Sequence, residues 1–125
     1  MNKIKRVAYI EDDVSAQLLV EFSLKQISSM ELKIYSNGKA AIEDILNFVP
    51  DIVLIDSQLP DLTGLQLLDK LKEKSELGNS HFIFCTAELD EEILEMMRSK
   101  SGNLVIKKPI QPIDFLNQLE NILKN

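Results

Sequence analysis

Carboxylates, a hydroxyl and an ammonium stand at the ends of short apolar runs in this chain. Val7-Ala8-Tyr9-Ile10 leads into Glu11-Asp12-Asp13, and Ile52-Val53-Leu54-Ile55 leads into Asp56. Phe82-Ile83-Phe84-Cys85 leads into Thr86, and Leu104-Val105-Ile106 leads into Lys107-Lys108-Pro109. Only the run from Leu32 to Tyr35 ends in what reads as a plain turn, Ser36-Asn37-Gly38. In an open parallel sheet, ligands bind outside the carboxyl ends of the strands. Were these runs such strands, Glu11, Asp12, Asp56, Thr86 and Lys108 would converge there. Three carboxylates held close repel one another and raise at least one pKa unless a cation intervenes. All-oxygen donors suit a hard ion such as Mg²⁺. A threonine hydroxyl can hydrogen-bond a phosphoryl oxygen, and a lysine ammonium can neutralise the same group. Each residue alone also has a duller reading. The acidic triplet suits a helix cap, Asp56 a turn, and Thr86 and Lys108 ordinary structural or solvated positions. Their joint placement favours a site.

Between the apolar runs lie segments with helical spacing: 14–28, 39–48, 64–74, 88–99 and 112–123. Five strand–helix pairs follow, with no leftover segment. Strands that are apolar throughout fit a sheet covered on both faces. Alternation of this kind implies right-handed crossovers and a parallel sheet. Lys108-Pro109 ends the last strand where the lysine must turn back towards the site. X-Pro bonds are where a cis peptide costs least, so a cis Lys108-Pro109 bond is expected.

The chain has 125 residues, which fits one domain with one core, here residues 1–125. Hydrophobic residues make up 45% and charged residues 27%, an ordinary soluble composition. A net charge of −6 argues against nucleic acid as a direct ligand. No apolar run approaches the length of a membrane span. The basic start, Met1 to Arg6, meets only a short apolar run before the acids, unlike a signal peptide. The single cysteine, Cys85, cannot form an internal disulfide and reads as an inert core residue, so a cytoplasmic location is expected.

These motifs together resemble the receiver domain of response regulators in two-component signalling. Glu11-Asp12-Asp13 resembles the family's acidic pair. Asp56 to Gly64 resembles its phospho-acceptor loop, with Pro60 and Gly64 four and eight residues after the aspartate. Thr86-Ala87 resembles the hydroxyl-plus-small-residue pair, and Lys108-Pro109 the end of strand five. The resemblance covers essentially the whole chain. It implies a flavodoxin-like (βα)5 α/β fold, with a doubly wound parallel sheet of order 2-1-3-4-5 and helices on both faces. It also implies that Asp56 accepts a phosphoryl group from a phosphohistidine on a partner, a histidine kinase or histidine phosphotransfer protein. Asp12, Asp56 and the backbone carbonyl of Gln58 would bind Mg²⁺, with Glu11 acting mostly through metal-bound water. Thr86 and Lys108 would hold phosphoryl oxygens. Gln58 and Glu88, two residues after the acceptor and the threonine, would tune the lifetime of the acyl phosphate, beside a small Ala87 that leaves it accessible.

Two features depart from the usual pattern or add to it. Val105 stands where many receivers carry Tyr or Phe, so no aromatic can swing in behind Thr86. The face of helix four, strand five and helix five is then expected to rely on Met97, Val105, Ile110 and Phe115, with weaker or different output. On helix one, Ala16, Leu19, Val20, Leu24 and Ile27 suffice for the core. Val14, Leu18 and Phe22 form a second stripe, expected either to receive the histidine-bearing partner or to widen the core contact. The expected function is a stand-alone receiver, a monomer or weak dimer, that catalyses its own phosphorylation and dephosphorylation and contacts a downstream protein target. Rival readings are a piece of a hybrid kinase or longer regulator, and a pseudo-receiver that binds partners without phosphorylation. A Mg²⁺-dependent phosphatase is disfavoured because no second aspartate follows Asp56 at Asp-x-Asp spacing.

Overall fold

A computed structural model describes residues 5–27 and 29–124. Five strands form one sheet: β1 (Lys5–Ile10), β2 (Met30–Tyr35), β3 (Ile52–Asp56), β4 (His81–Thr86) and β5 (Ile106–Lys107). Five helices alternate with them: α1 (Val14–Leu24), α2 (Gly38–Phe48), α3 (Gly64–Lys72), α4 (Glu91–Ser101) and α5 (Pro112–Lys124). All strand pairs are parallel and the order is β2-β1-β3-β4-β5, as expected for the flavodoxin-like arrangement. The order reverses at β1, so the crevice between the carboxyl ends of β1 and β3 is the topological switch point.

The central strands are apolar on both faces because helices cover both. Successive side chains of a strand point to opposite faces. Ala8, Ile10, Val53, Ile55, Phe82 and Phe84 pack in one core with residues of α2, α3 and α4. Val7, Tyr9, Ile52, Leu54, Ile83 and Cys85 pack in the other with residues of α1 and α5. All five residues of β3 are buried. The edge strand β2 instead alternates, with Glu31 and Lys33 exposed. Charges there blunt an open edge.

Element limits follow local capping. Asp13 Oδ2 accepts from Ala16 N at 2.8 Å and starts α1. Asn37 Oδ1 accepts from Ala40 N at 2.8 Å and starts α2. Thr63 and Gln66 form a reciprocal capping box at α3. Asp90 Oδ1 accepts from Glu92 N at 2.9 Å, so α4 begins at Glu91 and not at Glu88. Leu104 and Val105 lie outside β5, which is only two residues long. Spacing did not reveal the 3-10 turn Ser75–Leu77 after α3. Helix α1 ends at Leu24, short of the expected Ser28, which lies outside the described residues along with 1–4 and 125. Ala16, Leu19 and Ile27 are only partly buried, so α1 leans on Val20, Ser23 and Leu24 for its core contact.

Gly64 lets α3 approach the end of β3. A Cβ there would stand 2.5 Å from the Asp56 carbonyl oxygen and 3.0 Å from Ser57 Cα, both backbone atoms that cannot step aside. Gly64→Ala is therefore expected to lower stability by about 1–3 kcal/mol, measured as a lower urea midpoint.

Candidate functional site

Four strand ends supply the site. Glu11 follows β1 and is 1% exposed; Asp12, next to it, is exposed. Asp56 closes β3, Thr86 closes β4 and is 1% exposed, and Lys108 follows β5. One carboxylate oxygen from each of Glu11, Asp12 and Asp56 lies within 4.8 Å of the others. Lys108 Nζ lies 2.5 Å from Glu11 Oε1 and 3.2 Å from Asp56 Oδ1. Within the acidic triplet, Asp13 caps α1, while Glu11 and Asp12 face Asp56. The Lys108-Pro109 peptide is cis, as expected.

Two carboxyl groups this close do not share charge evenly. Burial and the neighbouring Glu11 push Asp56 up from its ordinary 3.8 to about 6, against the pull of Lys108. Burial also acts to raise Glu11, but its hydrogen bonds with Asp56, Lys108 and Asp13 N–H outweigh burial and hold it low. Burial acts to lower Lys108, and the two carboxylates more than offset that. With all three acids ionised, one lysine leaves two of three negative charges unbalanced. An all-oxygen set with that surplus fits a hard divalent cation of the Mg²⁺ type.

Tyr9 was missed in the sequence because it reads as one more apolar strand residue. It is fully buried, and its hydroxyl donates to Glu11 Oε1 at 3.0 Å. With Lys108 on the same oxygen and Asp13 N–H on Oε2 at 3.2 Å, Glu11 is held from three sides. Gln17 Nε2 also donates to the Glu11 carbonyl, at 2.6 Å. The Ser36-Asn37-Gly38 turn is likewise more than a plain turn. Asp61, in the loop after Asp56, accepts from Gly38 N at 3.0 Å and Lys39 N at 2.8 Å. The acceptor loop is thereby tied to the start of α2.

A cleft of about 500 Å³ is lined by Asp56, Ser57, Gln58, Thr86, Ala87, Glu88, Leu89 and Lys108. It gathers Gln58, Ala87 and Glu88, the positions expected to tune the lifetime of an acyl phosphate, beside Asp56. The Glu88 carboxylate is turned onto its own loop, accepting from Leu89 N and Asp90 N at 3.0 Å each. Burial pushes the Cys85 thiol up to about 12, in keeping with an inert core residue.

The two expected partner surfaces fare differently. Val14, Leu18 and Phe22 are 64%, 57% and 63% exposed, so the stripe does not widen the core. Met97, Ile110 and Phe115 are buried in the two cores and Val105 is half-buried against one, which corrects their assignment to an exposed face. Neighbouring helix positions point about 100° apart at 3.6 residues per turn. Met96 is therefore exposed where Met97 is not, and Leu104 and Ile113 are exposed nearby.

An acid cluster, a buried threonine and a lysine at the carboxyl end of a 2-1-3-4-5 sheet define a receiver-type site. The chain belongs to the response regulator receiver domain family, which matches residues 7–120. Over 106 residues it is 30% identical to the nitrate/nitrite response regulator protein NarL of Escherichia coli (strain K12), covering 81% of this chain and 48% of NarL. Over 115 residues it is 30% identical to the autoinducer 2 sensor kinase/phosphatase LuxQ of Vibrio vulnificus (strain YJ016), covering 91% of this chain and 13% of LuxQ. The chain thus spans less than half the length of either relative. A CheY-like response regulator receiver domain protein from Methanospirillum hungatei JF-1 shares the fold, with a TM-score of 0.85 at 23% identity over 98% of this chain and 95% of that one. Among the described residues, no helix is long and apolar enough to cross a membrane.

The raised pKa of Asp56 has a signed consequence. The folded protein binds this proton more tightly than the unfolded chain, so the contribution of Asp56 to stability is fully present below pH 3.8 and is lost as pH rises through about 6. Asp56→Asn is neutral throughout and escapes that cost. Without divalent cations, it is expected to be about 1–3 kcal/mol more stable than wild type at pH 7.5 and to lose the advantage near pH 3.8. Denaturant titrations at the two pH values measure the difference.

Proposed function

We propose that this receiver domain takes a phosphoryl group onto Asp56 from a phosphohistidine of a partner protein, in a Mg²⁺-dependent reaction. The observation that carries the reading is the meeting of Glu11, Asp12, Asp56 and Lys108 from three strand ends around one carboxylate, with Thr86 lining the same cleft. An Asp56 oxygen forms the new P–O bond, the P–N bond to the imidazole breaks, and the imidazole keeps that electron pair. Phosphoryl transfer depends on positioning and charge stabilisation more than on a protein acid or base. Glu11, Asp12, Asp56 and the Gln58 carbonyl would hold Mg²⁺, whose charge offsets that of the phosphoryl oxygens. Lys108 already spans Glu11 and Asp56 and is within reach of a phosphoryl oxygen on Asp56. Hydrolysis of the acyl phosphate returns the free carboxylate.

The α1 stripe of Val14, Leu18 and Phe22 supports a docking role for the donor. An apolar groove of about 440 Å³ lies beside it, lined by Asp13, Ser15, Ala16, Leu19, Ala87, Lys108, Pro109 and Ile110. It leads from α1 to the lysine of the site. Exposed apolar surface next to a reactive centre marks a contact surface for a helical partner. We read the domain as cytoplasmic and as signalling by contact with a target protein. NarL and LuxQ carry their matching segments within longer chains, which makes a longer regulator or hybrid kinase the alternative setting for the same chemistry.

Incubation with Mg²⁺ and acetyl phosphate is expected to add one phosphoryl group to wild type and none to Asp56→Asn, read by intact mass. A wild-type protein that stays unmodified under saturating donor would refute the proposal. For docking, Leu18→Ala and Phe22→Ala are expected to slow transfer from a phosphorylated histidine phosphotransfer protein by about tenfold or more each, with phosphorylation by acetyl phosphate unchanged.

A further inference from the structure

The Ser57 hydroxyl lies 2.7 Å from Thr86 Oγ1, and Thr86 Oγ1 also accepts from Glu88 N at 3.0 Å. Thr86 is 1% exposed, whereas Ser57 is half-buried. A buried hydroxyl hydrogen requires an acceptor. Among the described residues, Ser57 Oγ is the acceptor within reach of Thr86. Ser57, with access to water, can give its own hydrogen to solvent. On distance alone either oxygen could donate; the burial of Thr86 and the access of Ser57 to water favour donation from Thr86 to Ser57. In that direction the threonine proton that would serve a phosphoryl oxygen is already engaged.

The backbones on both sides are pinned. Gly64 N donates to the Ser57 carbonyl at 2.9 Å, and Lys108 N donates to the Thr86 carbonyl at 2.9 Å. Release of the contact thus falls to side-chain rotation. The same network runs onward: Thr86 to the Glu88 amide, the Glu88 carboxylate to Leu89 N and Asp90 N, and Asp90 to the first turn of α4.

We propose that Ser57 is a positioning residue that acts through Thr86: its hydroxyl holds the threonine in the resting state and sets the cost of passing to the phosphoryl-bound state. This rests on the receiver reading above. Loading Asp56 offers Thr86 a charged acceptor in place of Ser57, and the exchange loosens the hydrogen-bonded path to α4. With Val105 where an aromatic would otherwise report on Thr86, this contact supplies a brake on the threonine from the opposite side.

The test is calorimetric titration of the metal-loaded protein with beryllofluoride, a phosphoryl mimic, in the presence of Mg²⁺. Ser57→Ala is expected to bind it about two- to tenfold more tightly than wild type, the range that the net loss of one hydrogen bond gives. Ser57→Thr, which keeps the hydroxyl, is expected to bind like wild type. In a Thr86→Ala background, the further change Ser57→Ala is expected to shift affinity no more, because the serine acts through the threonine. Equal or weaker binding by a folded Ser57→Ala protein, or the same gain in the Thr86→Ala background, overturns the proposal. Should Ser57→Ala fail to fold, Ser57→Cys, with a weak hydrogen-bonding group of similar size, is read in the same way. Failure of wild type itself to bind beryllofluoride would instead defeat the receiver reading and, with it, this one.

Discussion

A lysine ammonium held between two carboxylates is the contact on which the site depends. Lys108 reaches Glu11 and Asp56 from a different strand end, and among the described residues neither acid has another ion-pair partner. Removing one partner of a buried charge cluster leaves the rest uncompensated, at a cost of several kcal/mol. The sheet makes the cluster possible. Five parallel strands point their carboxyl ends the same way, and the two apolar cores hold those ends at fixed spacing. Burial and the neighbouring Glu11 keep the pKa of Asp56 raised in spite of Lys108.

The acids divide their labour by burial. Glu11, sealed from solvent and fixed by Tyr9, Lys108 and the Asp13 amide, is a support for the site. Asp12 is exposed and free to take a cation or its waters. Asp56 lies between them, buried enough to be perturbed and open enough to line a cleft. The loop that follows is anchored twice, by Gly64 packed on its own backbone and by Asp61 on the α2 amides. A reactive group gains from such preorganisation because positioning contributes much of the rate in phosphoryl transfer.

Surface apolar residues separate into two kinds. On α1, Val14, Leu18 and Phe22 form an exposed stripe. On α4 and α5, the exposed residues are Met96 and Ile113, one or two positions away from buried Met97 and Phe115. Hydrogen bonds run from Thr86 through Glu88 to the first turn of α4, the helix that carries Met96. Coupling between a site and a distant face needs an element with two arrangements.

The order of elements, the parallel sheet and the gathering of Glu11, Asp12, Asp56, Thr86 and Lys108 at one end of it were legible in the sequence. Apolar runs of strand length alternate with helical spacing, and the residues at strand ends differ sharply in type from the runs before them. Those signals are local. What only the tertiary structure decided depends on contacts between residues far apart in the chain. Tyr9 looks apolar until its hydroxyl meets the buried Glu11 carboxylate, and Ser57 looks like a loop serine until Thr86 comes within 2.7 Å. The turn at Asn37 looks plain until Asp61 reaches it across 23 residues. Met97 and Phe115 were misplaced for a related reason: spacing shows that a helix has an apolar side, but a single position's rotation about the axis is set by what packs against it.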